Sequence, residues 1–332
     1  MDRAGEMQRW LETVLEAREF NIEPVSDDAS FRRYFRIRRG DPQPPLIVMD
    51  APPDKENCRP FVHVARLFAD AGVHVPTIHA QDLEQGFLLL SDLGDTTYLG
   101  ALDASNAGQL YGDALDSLLR IQLASRPDCL PAYDRGLLER ELRLFPEWYV
   151  TRQLKCALDE SQKAALGKAF ALLLENNLAQ PRVFVHRDYH SRNLMVCEPC
   201  PGILDFQDAV YGPITYDLVS LFRDAYISWS EEQVIDWVIR YWEMARKAGL
   251  PVNGDFACFY RDFEWMGAQR QLKVLGIFAR LFHRDGKGAY LKDQPVVMRY
   301  LQRTCERYSE LAPLARLLDG LRPLEKRFGY TF

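Results

Sequence analysis

No run of apolar residues in this chain reaches the length needed to span a bilayer, and Met1-Asp2-Arg3-Ala4-Gly5-Glu6 leads into a charged amphipathic segment, not an apolar leader. The expected compartment is the cytoplasm, with no membrane partner. An excess of positive charge is also missing: 41 basic against 47 acidic residues, interspersed, leave a formal charge of −6. Without a basic footprint, nucleic acid is not an expected partner, and a neutral or cationic small substrate fits better than a polyanion. The seven cysteines, scattered from Cys58 to Cys305, form no disulfide framework in a chain of 332 residues, so reduced thiols are expected. Only Cys197-Glu198-Pro199-Cys200 brings two close together, and no second pair or Cys/His cluster completes a zinc site; it reads as a hairpin turn. Internal repeats and low-complexity segments are absent, and a monomer is expected.

What is present is ample apolar material, 47% of residues, enough for one sizeable core or two joined lobes. Trp10, Leu11, Val14 and Leu15 recur at helical spacing, so the pattern predicts a helix over 8–19. Strands are expected at 31–38 and 46–50, then at 77–80 and 87–90. Between them Phe61, Val64, Leu67, Phe68 and Ala71 share one face of a helix over 57–71 that Gly72 stops. Beyond Gly94 helical periods take over, at 110–121, 135–150, 162–179, 231–248 and 255–282. The expected class is α+β: a strand-rich amino lobe over residues 1–91 and a helical carboxyl lobe over 92–332.

One stretch interrupts the helices. Strand-like Val183-Phe184-Val185 leads into His186-Arg187-Asp188-Tyr189-His190-Ser191-Arg192-Asn193, then a short hairpin and Ile203-Leu204-Asp205-Phe206. Pairing 194–196 with 202–204 across the turn 197–201 sets Asn193 directly opposite Asp205. An amide oxygen and a carboxylate there are hard ligands suited to Mg²⁺, which takes few protein groups and otherwise water and nucleotide phosphates. Asp188 is left to face an incoming hydroxyl. Phosphoryl transfer uses such parts in this order: a loop aspartate for the acceptor's proton, then an asparagine and a later aspartate for metal. The joint pattern points to an ATP- and Mg²⁺-dependent kinase for a small molecule. His186 and His190 are candidate bases or ligands, or scaffolding that fixes the loop by hydrogen bonding, the reading adopted here. Asp217, where a helix begins, is an N-terminal cap or, as adopted here, support for the catalytic loop.

The segment V-F-V-H-R-D-Y-H-S-R-N-L-M-V followed by G-I-L-D-F-Q-D-A-V-Y-G-P-I-T-Y-D-L-V-S-L resembles the aminoglycoside phosphotransferase and choline kinase superfamily, and the order of lobes extends the resemblance over most of the chain. It implies a bilobal protein-kinase-like fold: a small antiparallel sheet with one main helix, then a larger helical lobe. Asp188 looks like the catalytic aspartate, Asn193 and Asp205 the metal ligands. Leu88, Leu90 and Asp92 look like the hinge whose backbone takes adenine, and 28–33, with Ser30, Arg32 and Arg33, the turn over the phosphates. The family's strand lysine is absent from Leu46-Ile47-Val48-Met49-Asp50, and Asp50 stands near its place. Arg32 or Arg33 on the neighbouring strand is expected to supply the missing charge.

More narrowly, D-A-S-F-R-R-Y-F-R, I-V-M-D-A-P-P, L-D-F-Q-D-A-V-Y-G-P and R-Q-L-K-V-L-G-I-F look like the bacterial branch that phosphorylates the anomeric hydroxyl of amino sugars in cell-wall recycling. The implied acceptors are N-acetylmuramate and N-acetylglucosamine, the product an α-1-phosphate. Gln207 and Asp208 are then candidate acceptor contacts. Arg223 is either a partner for a lactyl carboxylate or a helix-surface salt bridge. The rival readings are an aminoglycoside or choline-type kinase, which needs an acidic pocket, and a nucleotide-binding pseudokinase scaffold.

Overall fold

In the computed structural model, which describes residues 3–27 and 31–321, the amino-terminal third alternates strands with two long helices. The order is α1 (Arg3–Leu15), β1 (Asn21–Asp27), β2 (Arg33–Arg38), β3 (Leu46–Asp50), α2 (Arg59–Asp70), β4 (Ile78–Asp82), β5 (Phe87–Ser91), α3 (Tyr98–Ala101) and α4 (Ala107–Leu123). There follow α5 (Arg135–Leu144), a π-helical stretch Phe145–Gln153, α6 (Glu160–Ala179), β6 (Arg182–Val185), β7 (Leu194–Met195), β8 (Gly202–Ile203) and β9 (Val210–Pro213). The chain continues through α7 (Tyr216–Phe222), α8 (Glu231–Lys247), α9 (Phe256–Asp285), α10 (Gln294–Arg307) and α11 (Ala312–Leu321). It folds as two units, Met1–Ile121 with Arg192–Ala209, and Gln122–Ser191 with Val210–Phe332. Among the described residues no helix is long and apolar enough to cross a membrane, and all seven cysteines are free thiols.

The first unit is built on a five-stranded antiparallel sheet ordered β1-β2-β3-β5-β4. Side chains alternate across a strand, so β2, β3 and β5 each present two faces. Ile37, Leu46, Val48, Phe87 and Leu89 form one face and bury Met7 and Leu11 of α1. Tyr34, Arg36, Ile47, Met49, Leu88 and Leu90 therefore belong to the other. The opening helix starts and stops earlier than its apolar period suggests, because Glu16 adopts a left-handed φ of 50° that ends it. Strand β1 escaped the sequence reading because Pro24 interrupts its alternation; a proline is tolerated on an edge strand, where a missing N–H costs no ladder bond. Helix α2 buries Phe61, Val64, Ala65, Leu67 and Phe68, and two of those rings close on Phe206 at 4.8 and 5.9 Å. The β7–β8 hairpin belongs to this unit: Val196 N–H donates to Thr96 C=O and Ile203 N–H to His74 C=O, both at 2.8 Å.

The second unit is organised around the thirty-residue α9, whose buried residues run from Phe259 to Ala279. Gly276 lets it pass close to the end of α5, since a Cβ there would stand 2.4 Å from the Leu144 carbonyl carbon. The helix expected over 135–150 changes character after Leu144, because Pro146 has no N–H for the α-ladder and the chain widens into a π-helix. The short ladder β6–β9, registered Val185 to Val210, delivers the polar loop that follows Val185. Helices α10 and α11 lie outside the sequence expectations.

Candidate active site

Strand β6 is buried and apolar from Val183 to Val185, and it ends abruptly in a polar loop that the second unit grips from behind. Asp217, buried in the first turn of α7, accepts the backbone N–H of His186 at Oδ2 (2.7 Å) and of Arg187 at Oδ1 (3.0 Å). Thr215, not Asp217, is the helix cap residue. Burial lifts the Asp217 carboxyl to about 7 against the pull of those two donors, with the Asp188 charge raising it further and Arg270 opposing. His186 is fully buried, and its Nδ1 accepts the Asp188 N–H at 3.3 Å, so the ring proton sits on Nε2. Ser191 closes the loop, donating its N–H (3.0 Å) and hydroxyl (2.5 Å) to the buried Asp224. The ring of His190 meets Tyr226 edge-on at 5.5 Å.

Arg187 takes a left-handed φ of 77°, uncommon for a residue with a long side chain. That turn sends its guanidinium inward to Glu141, 2.6 Å away and itself only 5% exposed. The same carboxylate takes Lys273 Nζ at 3.1 Å, the Tyr133 hydroxyl, and Gln269 Nε2 at 3.3 Å. Lys273 also donates to the Tyr216 hydroxyl at 2.8 Å. Two cations thus share one carboxylate, and their surplus charge falls on Asp188. Burial alone would raise the Asp188 carboxyl; the charges of Lys273, His190, Arg270 and Arg187 overcome it and hold the group at about 2. Asp188 is a firm carboxylate, fitted to orient a hydroxyl more than to bind its proton tightly. Glu141, Asp224, Arg270 and Lys273 were not found from sequence, where charged residues in helical periods look solvent-facing.

In the first unit, Asn193 and Asp205 come together, though not as strand register predicts. Leu194 pairs with Ile203 and Met195 with Gly202, and Leu204 N–H donates to Asn193 C=O at 2.9 Å, so Asn193 lies opposite Leu204. The expected pairing with Asp205 is off by one residue. A left-handed φ of 61° at Asp205 corrects the slip by swinging its carboxylate back, to 3.4 Å from Asn193 Nδ2. Gln207 Nε2 donates to the other Asp205 oxygen at 2.8 Å, while Gln207 Oε1 is buried with no hydrogen-bond partner. An amide, a carboxylate and an orphaned amide oxygen in one corner are the hard donor set that suits Mg²⁺; the Asn193 amide then turns its oxygen inward. Asp208 is exposed.

The residues expected at the nucleotide do not gather in one place. Arg33 pairs in register with Asp50, and both point to the α1 face, where Asp50 also takes Arg3 Nε at 2.9 Å. That position explains the absent lysine in part: Asp50 faces α1, and Met49 faces the opposite side. Arg32 lies against Glu56, Nε to Oε2 3.5 Å, and Glu56 also accepts the Phe31 N–H at 3.1 Å. Ser30 lies outside the described residues. Leu88 and Leu90 are buried with strands on both sides, so the sheet ladder engages their backbone and what they present is apolar side-chain surface. The Asp92 carboxylate takes Arg36, at 2.5 and 3.1 Å, and the Gly94 N–H at 2.9 Å. In the second unit Arg223, 7% exposed, is paired with Glu231 at 2.8 Å and packed over Phe263 and Tyr300.

Residues 21–250 match the model of the Phosphotransferase enzyme family. A protein of Pseudomonas aeruginosa named N-acetylmuramate/N-acetylglucosamine kinase is 54% identical over 298 residues, covering 90% of this chain and 88% of its own length. A protein of the same name from Neisseria meningitidis is 48% identical with both chains covered in full. Among solved structures, an ADP-bound aminoglycoside phosphotransferase superposes with a TM-score of 0.58 at 14% identity, over 90% of this chain and 96% of its own, a likeness of fold alone.

Proposed function

Because the chain belongs to the phosphotransferase enzyme family, we propose that it is an ATP-dependent kinase that phosphorylates the anomeric hydroxyl of N-acetylmuramate and N-acetylglucosamine to the α-1-phosphate. The names and coverage of its relatives support the acceptor class. The observation that carries the chemistry is Asp188, held as a carboxylate at about 2 on a loop whose backbone Asp217 pins by two hydrogen bonds. So weak a base matches an acceptor hydroxyl that is itself unusually acidic, and an anomeric hydroxyl is more acidic than an ordinary alcohol.

In this reading Asp188 aligns the hydroxyl with the γ-phosphate and takes its proton late, when the oxygen has lost most of its basicity. Asn193 and Asp205 would hold Mg²⁺, whose charge when bound offsets that of the nucleotide phosphates. Gln207 steadies Asp205 in the meantime. Residues 1–91 would carry the nucleotide, with Leu88 and Leu90 against the base and Arg32 the phosphate cation that Glu56 positions. Residues 92–332 would carry the acceptor.

The test is an acceptor panel with ATP and Mg²⁺: N-acetylmuramate, N-acetylglucosamine, glucosamine, choline and an aminoglycoside, with ³¹P NMR of each product. A phosphomonoester on the anomeric carbon of both acetylated sugars is expected. Phosphorylation elsewhere on the ring, or of the cationic acceptors alone, would overturn the acceptor assignment.

A further inference from the structure

The inward face of α9 is unusually polar for a core helix: Gln269, Arg270, Gln271 and Lys273 are all buried. Gln269 and Lys273 reach Glu141. Arg270, one turn before Lys273, is 6% exposed and has neither an ion pair nor a hydrogen bond among the described residues; its Nε is buried without an acceptor. Arg36, Arg223 and Lys273 are buried to a similar degree, and each has a carboxylate within 3.1 Å. A nearly buried guanidinium that feels the loop carboxylates only at a distance and makes no hydrogen bond is costly, and its unspent donors suit an anion brought in from outside. Arg270 stands close to the loop aspartates: its charge acts on both Asp188 and Asp217.

We propose that Arg270 receives a carboxylate of the acceptor and so favours N-acetylmuramate, which carries a lactyl carboxylate, over neutral N-acetylglucosamine. The inference rests on the acceptor class proposed above. It moves the carboxylate role from Arg223, which Glu231 already neutralises, to a cation whose fork of N–H donors is unspent. A bidentate guanidinium–carboxylate contact is planar and directional, so lysine at this position would replace the charge and lose the fork.

The experiment measures kcat/KM for both sugars, and for the neutral methyl ester of N-acetylmuramate, with the wild-type chain, Arg270→Met and Arg270→Lys. Any loss common to all acceptors, from removing a charge near Asp188, cancels in the ratio of N-acetylmuramate to N-acetylglucosamine. That ratio should fall about ten- to hundredfold in Arg270→Met, the range for a lost charge-assisted hydrogen bond, and by less in Arg270→Lys. In the wild type, esterification should cost a similar factor; in Arg270→Met it should cost little more. An unchanged ratio, or a wild type indifferent to esterification, overturns the inference while leaving the acceptor class intact. If the methionine variant fails to fold, the ester series and Arg270→Lys still decide. A wild type that phosphorylates neither sugar overturns the acceptor class first, and this inference with it.

Discussion

Glu141→Gln should be among the most damaging single changes available in the second unit. The native carboxylate takes four donors: Arg187 at 2.6 Å and Lys273 at 3.1 Å on Oε1, the Tyr133 hydroxyl and Gln269 Nε2 on Oε2. Glutamine keeps the shape but has one acceptor oxygen, and its amide nitrogen would face other donors. Two buried cations lose their counter-charge at once. Removing one member of a buried ion pair costs about 3–5 kcal/mol, against a total stability of about 5–15 kcal/mol. At roughly 2–4 °C per kcal/mol for a unit of this size, the midpoint of thermal unfolding should fall by about 6–20 °C. Differential scanning calorimetry reads that fall. The double variant Glu141→Gln with Lys273→Met should be less unstable than the two single losses sum to, because the carboxylate and one cation leave together. A single variant within about 1 kcal/mol of wild type, or strict additivity in the double, would refute the reasoning that this carboxylate neutralises both cations.

Asp188→Asn should lower kcat by about two to four orders of magnitude, measured by a coupled ADP-release assay; near-normal turnover would remove Asp188 from the chemistry. Stability should depend on pH through two carboxyls pushed in opposite directions. Asp217, raised to about 7, contributes stability that is complete below about 4 and lost as pH rises through 7, whereas Asp188, held at about 2, contributes stability above about 4 that is lost as pH falls through 2. Calorimetry from pH 4.5 to 8 should show the wild-type midpoint declining towards the alkaline side and Asp217→Asn lower but flatter; equal slopes would contradict the assignment. Finally, Arg32→Ala should raise KM for ATP by about tenfold or more, the value of a lost charge-assisted contact, whereas Arg33→Ala should cost stability alone. Equal effects on ATP kinetics would mean that their different partners, Glu56 for Arg32 and Asp50 for Arg33, do not separate the two.

Much of this was open to reading in one dimension. The α2 stripe of Phe61, Val64, Leu67 and Phe68 and the strands on either side of it follow from apolar period and turn residues, because the periods of helix and strand are local properties. The loop from His186 to Asn193 and the nearness of Asn193 to Asp205 could be anticipated because residue types and spacing are properties of the chain itself. The register was not: alternation over so short a hairpin tolerates a slip of one, and only the left-handed backbone at Asp205 brings its carboxylate to Asn193.

Sequence by itself therefore determined the class of fold, the order of the motifs and the loop proposed to carry the chemistry. Tertiary structure alone decided which way the charges face. Arg33 and Asp50 point to the α1 side while Met49 points away, because cross-strand partners share a face and adjacent strand residues do not, and Arg32, just before the strand, lies against Glu56. Glu141, Lys273 and Arg270 turn inward on helices whose periods cannot say which polar residue is buried. Burial depends on what packs alongside, and α5, α7 and α9 meet only when residues far apart in the chain are brought together.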